Sequence, residues 1–213
     1  EESFGLLHLD VDAPAGTHID IAHGEHLDDL GVRATPGYRR FGDRLICREG
    51  HNRFTLPFRR LGCRYIEIHL LAFQRPVTLR ALGLAPVSYP VVERGDYRSP
   101  DRLMSEIRTA ALRTLRRCMA EHYMDCPWRE QSLYAYDSRN QALYGYYAFG
   151  EYAYPIESFR LLGWGRREDG FLELCAPARV KTCIPTFSLV WISALRDHFL
   201  FSGRPLLFRE FRA

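Results

Sequence analysis

Asp125-Cys126-Pro127-Trp128-Arg129-Glu130-Gln131-Ser132-Leu133-Tyr134-Ala135-Tyr136-Asp137 sets three carboxylates, an arginine and two tyrosines around a proline, with no lysine and almost no aliphatic filler. That is the composition of a site rather than of a linker. Pro127 cannot continue a helix and biases Cys126 away from the α region, so a helix arriving from upstream is expected to end near Met124 or Asp125. The acidic side chains then stand on a loop at a helix end. Loops held by rigid elements are where catalytic groups commonly lie.

Upstream of this loop, Ser99-Pro100-Asp101 reads as a helix start. The serine hydroxyl can cap free backbone N–H groups, proline suits the first helical position, and the acid sits near the positive end of the dipole. The helix is expected to run to about Tyr123, with Leu103, Ile107, Ala111, Leu115 and Cys118 forming one apolar stripe and Arg102, Arg113, Arg116 and Arg117 largely off it. Before it, from Ser3 to about Val92, the pattern has period two. Thr17-His18-Ile19-Asp20-Ile21, Arg64 to Leu70 and Val77 to Leu82 alternate, which puts one face on a core and one toward solvent. Turn residues fall between them at Ala13 to Gly16, Pro36-Gly37 and Glu49 to Asn52. An antiparallel β-sandwich accounts for this most simply. The change of period between Pro90 and Arg98 divides the chain into a β part, residues 1–95, and an all-α part, residues 96–213.

Downstream, Ser138 to Phe149 and Tyr154 to Leu162 read as short helices separated near Gly150. Gly163 to Pro177 is turn-rich and contains Asp169-Gly170. A strongly apolar helix follows from Pro185 to Phe201, Ser202-Gly203 stops it, and Pro205 opens another.

Asp125-Cys126-Pro127-x-Arg129-Glu130, with Asp137 seven residues on, resembles the active-site segment of the bacterial α-L-rhamnosidases, glycoside hydrolase family 78. Gly62-Cys63-Arg64-Tyr65 is similar to that family's Gly-Phe-Arg-Tyr strand, and Asp169-Gly170 to its Asp-Gly loop between barrel helices. One departure lies inside the motif: where family members usually carry Gly-Trp-x-Gly, this chain has Leu133-Tyr134-Ala135-Tyr136, keeping an aromatic as Tyr134. The resemblance implies a sandwich followed by a six-hairpin (α/α)6 barrel. Twelve helices of ~11 residues with connections of ~5 need on the order of 190 residues, and fewer than two thirds of that number follow Ser99. The expectation is therefore the start of such a barrel, as in a truncated or partial rhamnosidase.

The resemblance also implies an activity, inverting hydrolysis of terminal α-L-rhamnosyl linkages without a cofactor or metal. Such enzymes use two carboxyl groups standing roughly 6.5–9.5 Å apart. Glu130 matches the general acid, whose task of holding a proton near neutral pH calls for burial or neighbouring negative charge. Asp125 and Asp137 could supply that charge and accept hydrogen bonds from sugar hydroxyls, Arg129 could orient an acid or bind a hydroxyl, and Trp128 and Tyr134 could wall a sugar subsite. The family's general base lies downstream of the residues present, and no motif supports Glu151, Glu157 or Glu173 in that role. Two other readings stay open: a non-catalytic carbohydrate-binding or interaction protein, and a six-hairpin glycosidase for a different sugar. Read without the resemblance, the same residues could form a surface cap and ion-pair cluster.

Composition narrows the rest. The basic residues are almost all arginine, interleaved with Asp and Glu at a net charge of +3, which argues against a nucleic-acid surface. No apolar run approaches the ~20 residues of a membrane span, and Glu1-Glu2 is no secretory signal, so a cytoplasmic protein is expected. Cys47, Cys63, Cys118, Cys126, Cys175 and Cys183 show no zinc-ligand spacing and read as reduced, mostly buried thiols. His18, His23 and His26 are expected on strand surfaces and loops, not around a metal. Tyr144, Tyr147 and Tyr154 are expected in the core between helices. The apolar faces of the later helices are expected to stand exposed and to drive self-association.

Overall fold

Period-two alternation becomes paired strands in the computed structural model, which describes residues 1–29, 31–178 and 180–212. The chain falls into two units, Glu1–Ser88 with Pro127–Arg129, and Tyr89–Cys126 with Glu130–Ala213. In the first, β1 (Ser3–Ala13) and β2 (His18–Gly24) lie at the centres of two three-stranded antiparallel sheets. β3 (Leu27–Asp28) and β4 (Gly31–Val32) form a small hairpin beside them. β5 (Gly42–Ile46) and β7 (Tyr65–Leu71) flank β2, while β6 (Gly50–Cys63) and β8 (Thr78–Pro86) flank β1.

Alternation decides which residues make this unit's core. Leu7, Leu9 and Val11 of β1 and Ile19 and Ile21 of β2 are buried together with Leu61 and Cys47, each large aliphatic contributing roughly 1.5–3 kcal/mol by leaving water. Their neighbours point the other way: His8 bonds Thr55 and Asp10 bonds His51. Two residues break the pattern. Between Leu6 and His8 the register with β6 shifts, a bulge that leaves Phe58 in solvent. His23, expected at a surface, is 1% exposed and packs edge-on to Phe41 at 5.4 Å between centroids. Burial, with Arg59 adding, pushes its imidazole down to about 4.

Pro127-Trp128-Arg129 belongs to this first unit. A Cβ on Gly62 would lie 2.0 Å from the carbonyl oxygen of Pro127, so only glycine admits the tripeptide against the end of β6. Trp128 is 6% exposed, its ring 5.2 Å from Phe41 and 6.1 Å from His26.

The main segment of the first unit ends at Ser88, because the segment after it bonds to neighbours in the helical unit. Tyr89 N–H donates to Met119 O at 2.8 Å and Gly95 N–H to Ala148 O at 2.9 Å. α1 (Arg102–Arg117) is capped by Asp101, whose carboxylate accepts from Leu103 N–H at 2.8 Å. Ser99, the expected cap, instead accepts from Asp101 N–H. α1 stops at Arg117, and residues 118–124 form an irregular turn closed by Met124 N–H to Cys118 O at 2.9 Å. Its expected stripe holds only in part: Leu115 and Cys118 are buried with Leu112, whereas Leu103 and Ile107 are exposed. Only the last two turns of α1 reach the helical core.

α2 (Ala135–Phe149) begins three residues earlier than Ser138, which brings Asp137 into its first turn. It ends on Gly150 at φ +59, the left-handed cap that glycine tolerates. α3 (Tyr154–Trp164), α4 (Pro185–Ser202) and α5 (Leu206–Glu210) complete the unit. Met119, Tyr123, Leu133, Tyr146, Phe149, Phe159 and Leu195 make its core. Tyr154 is inside as expected, but Tyr144 and Tyr147 are 59% and 72% exposed. They lie one turn apart, off the stripe of Ser138, Ala142, Gly145, Tyr146 and Phe149 that α2 buries. α4 leaves Leu189, Ile192 and Leu200 in solvent. Among the described residues no helix is long and apolar enough to cross a membrane.

Candidate active site

The loop between α1 and α2 is closed by its own first acid. Asp125 N–H donates to Ser132 O and Ser132 N–H donates back to Asp125 Oδ1, both at 2.9 Å. Inside that ring Cys126 Sγ accepts from Glu130 N–H at 3.4 Å. Gln131 takes the left-handed conformation at φ +52, uncommon for a residue with a Cβ and a mark of backbone held by its surroundings. Leu133, wholly buried, anchors the exit, with Ala176 N–H donating to its carbonyl at 3.2 Å. Gln141 of α2 ties the entrance, donating from Nε2 to Met124 O at 2.7 Å.

This closed loop presents Glu130. The Tyr134 hydroxyl donates to Glu130 Oε2 at 2.7 Å, fixing the carboxyl group in one orientation. Burial first, and then that hydrogen bond to a carboxylate, push the Tyr134 phenol up to about 12, so it stays a donor at any ordinary pH. Asp137 is half-buried in the first turn of α2. Burial raises its pKa, with the charges of Asp125 and Glu130 adding to the effect. The helix N-terminus would favour its charged form, and the net upward direction shows burial prevailing. Cys126 is likewise raised, by burial and then by its hydrogen bond to Asp125. Burial raises the Cys175 thiol as well, and the charge of Glu130 adds.

Asp137 thus lies within electrostatic reach of Asp125 and Glu130, and Glu130 within hydrogen-bond reach of Tyr134. Trp128 and Arg129 are placed in the first unit, Trp128 with its ring buried and Arg129 exposed with its carbonyl accepting from Arg39. Two features were not read from the sequence. The Tyr134 hydroxyl clamp had a signal in its four-residue spacing from Glu130; Cys175, distant in sequence, had none. Among the described residues no group of three or more His, Cys, Asp or Glu is arranged to hold a metal ion. Chemically, the cluster can deliver a proton from one oriented carboxyl group and accept hydrogen bonds from the hydroxyls of a neutral ligand at two others.

Residues 1–84 match the bacterial alpha-L-rhamnosidase concanavalin-like domain and residues 93–210 the bacterial alpha-L-rhamnosidase 6 hairpin glycosidase domain. Among solved structures, a GH78 family rhamnosidase of Bacillus sp. GL1 is 30% identical over 96% of this chain and 22% of its own, with a TM-score of 0.85. A rhamnosidase from Klebsiella oxytoca with rhamnose bound is 21% identical over 98% of this chain and 44% of its own, with a TM-score of 0.82. The Streptomyces avermitilis alpha-L-rhamnosidase complexed with L-rhamnose shares the fold at 18% identity and a TM-score of 0.66, over 94% of this chain and 21% of its own. This chain therefore spans between about a fifth and less than half of those structures' lengths. No curated protein matches it in sequence.

Proposed function

The chain belongs to the bacterial α-L-rhamnosidase family of six-hairpin glycosidases, and from that premise we propose that it carries the acid half of an inverting α-L-rhamnosidase site. Glu130 donates its proton to the glycosidic oxygen as the bond from C1 to that oxygen breaks, while Asp125 and Asp137 accept hydrogen bonds from rhamnose hydroxyls. Tyr134 holds the Glu130 carboxyl group. Water attacks C1 from the opposite face, losing its proton to a base contributed from outside these 213 residues. The observation that carries this reading is the Tyr134 to Glu130 hydrogen bond of 2.7 Å beside Asp137, a carboxyl group raised by burial and by its acidic neighbours.

Titration calorimetry with L-rhamnose tests the binding half. Asp125→Ala and Asp137→Ala are expected to weaken binding at least tenfold each, and unchanged affinity in both would remove them from the site. A second reading, a carbohydrate-binding protein without turnover, is favoured if rhamnose binds while no added base restores hydrolysis. The six cysteines are all free thiols, which fits a reducing compartment such as the cytoplasm. The exposed Leu189, Ile192 and Leu200 face of α4 supports self-association, and a monomer by light scattering at high concentration would count against it.

A further inference from the structure

Tyr144 and Tyr147, exposed on α2, do not stand on a flat surface. With Tyr97, itself 51% exposed, and with Asp96 and Arg108 they line a cleft of about 320 Å³. That lies at the small end of ligand clefts, roughly 300–1,000 Å³, and suits one or two sugar rings. The cleft is built by a close backbone approach: Arg94 and Gly95 both donate to Ala148 O at 2.9 Å, and a Cβ on Gly95 would lie 2.3 Å from Tyr147 O.

Tyr147 and Arg108 have partners within the protein before any ligand arrives. Tyr147 packs edge-on to Phe201 at 5.3 Å. Arg108 donates to Gly95 O at 2.9 Å and pairs with Glu93, while Asp96 pairs with Arg98 at 3.2 Å. Both charged side chains lining the cleft thus have a partner of opposite sign, Arg108 in Glu93 and Asp96 in the solvent-exposed Arg98. What the cleft offers is three aromatic rings with exposed surface and polar groups able to bond hydroxyls. Aromatic faces pack on the C–H faces of pyranose rings, and this combination suits a neutral sugar.

We propose that the Tyr97, Tyr144 and Tyr147 cleft is a second carbohydrate-binding site, taking a neutral saccharide unit. It is separate from the Glu130 cluster: Asp137 and Tyr147 are ten residues apart on α2, about 15 Å along its axis. The inference does not depend on turnover at Glu130. A site of this kind holds a glycan on the protein surface without cleaving it.

The test labels the full chain with 3-fluorotyrosine and follows the fluorine resonances while adding methyl α-L-rhamnopyranoside, methyl β-D-glucopyranoside, methyl β-D-galactopyranoside or D-galacturonate. Tyr→Phe variants at positions 97, 134, 144 and 147 assign the signals. Saturable shifts at Tyr97, Tyr144 and Tyr147 with at least one neutral sugar are expected, and Tyr144→Ala combined with Tyr147→Ala weakens them at least tenfold at Tyr97. Shifts confined to Tyr134, shifts at none of the cleft tyrosines, or shifts there with D-galacturonate alone would overturn the proposal. Tyr134 reports the Glu130 cluster separately: if the cleft signals move while Tyr134 does not move with the rhamnoside, the second site stands and the proposed primary site fails.

Discussion

Lowering the pH from 7.5 to 5.5 is expected to destabilise both units of this protein, each through one buried histidine. His23 in the sandwich and His198 in α4 are 1% and 0% exposed. His23 Nδ1 and His198 Nε2 find no hydrogen-bond partner in the structure, while His198 Nδ1 shares a 3.0 Å hydrogen bond with the Tyr146 hydroxyl. Burial first, with Arg59 beside His23 and Arg204 beside His198 adding, pushes each imidazole from 6.5 down to about 4. The unfolded chain therefore binds protons that the folded chain refuses. The stability is fully present above pH 6.5 and is lost as pH falls toward 4, at about 1.4 kcal/mol per pH unit for each histidine. At pH 5.5 each unit loses about 1.4 kcal/mol, which lowers a urea midpoint by about 1 M for a typical small-domain slope. Urea titrations at the two pH values, followed by circular dichroism, measure this. His23→Gln is expected to abolish the shift for the sandwich and His198→Gln for the helical unit. Equal midpoints at pH 7.5 and 5.5, or a shift that persists in the double variant, would refute the reasoning.

Other outcomes follow from the same geometry. Tyr134→Phe removes a hydrogen bond to a carboxylate, a class worth about 1.5–3 kcal/mol; in a protein supplied with base it is expected to lower kcat at least tenfold with little change in KM, as steady-state kinetics would show. Asp137→Asn removes a half-buried acid whose pKa is raised, so the folded state no longer has to hold its charge. The variant is expected to melt higher than the parent at pH 7, with the difference vanishing as pH falls through the carboxylate range, while rhamnose binding weakens. Gly62→Ala drives a Cβ into the Pro127 carbonyl, and such overpacking costs about 1–3 kcal/mol or more, measurable as a lowered urea midpoint for the sandwich.

Periodicity carried the architecture. Alternation on β1 and β2 depends only on which side of a strand a residue occupies, and two sheets have only one interior to fill. The loop motif was legible because Pro127 limits the backbone whatever surrounds it, so Asp125, Glu130 and Asp137 had to gather near a helix end. Ring placement was not legible. Trp128 is buried because Gly62 lets its backbone close on β6, a contact between residues more than sixty positions apart. Tyr144 and Tyr147 are exposed because α2 starts at Ala135 and buries the stripe through Tyr146, a rotation that composition alone does not reveal. At α1 the helix start was right in kind, but Asp101 outcompetes Ser99 as the cap, since its carboxylate reaches Leu103 N–H. The first turns of α1 also extend past the core they were expected to face.

The claim at the centre of this account is that Glu130 is the proton donor to the leaving group. Its most direct test is release of phenol and of 2,4-dinitrophenol from the phenyl and 2,4-dinitrophenyl α-L-rhamnopyranosides by the chain and by Glu130→Gln, with sodium azide added to attack C1 in place of water and its base, forming the rhamnosyl azide. A general acid matters only where the leaving group needs a proton. The account predicts a loss of about 10²–10⁴-fold in Glu130→Gln on the phenyl glycoside and little loss on the dinitrophenyl one. Equal rates for parent and variant on the phenyl glycoside, or equal losses on both substrates, would contradict it.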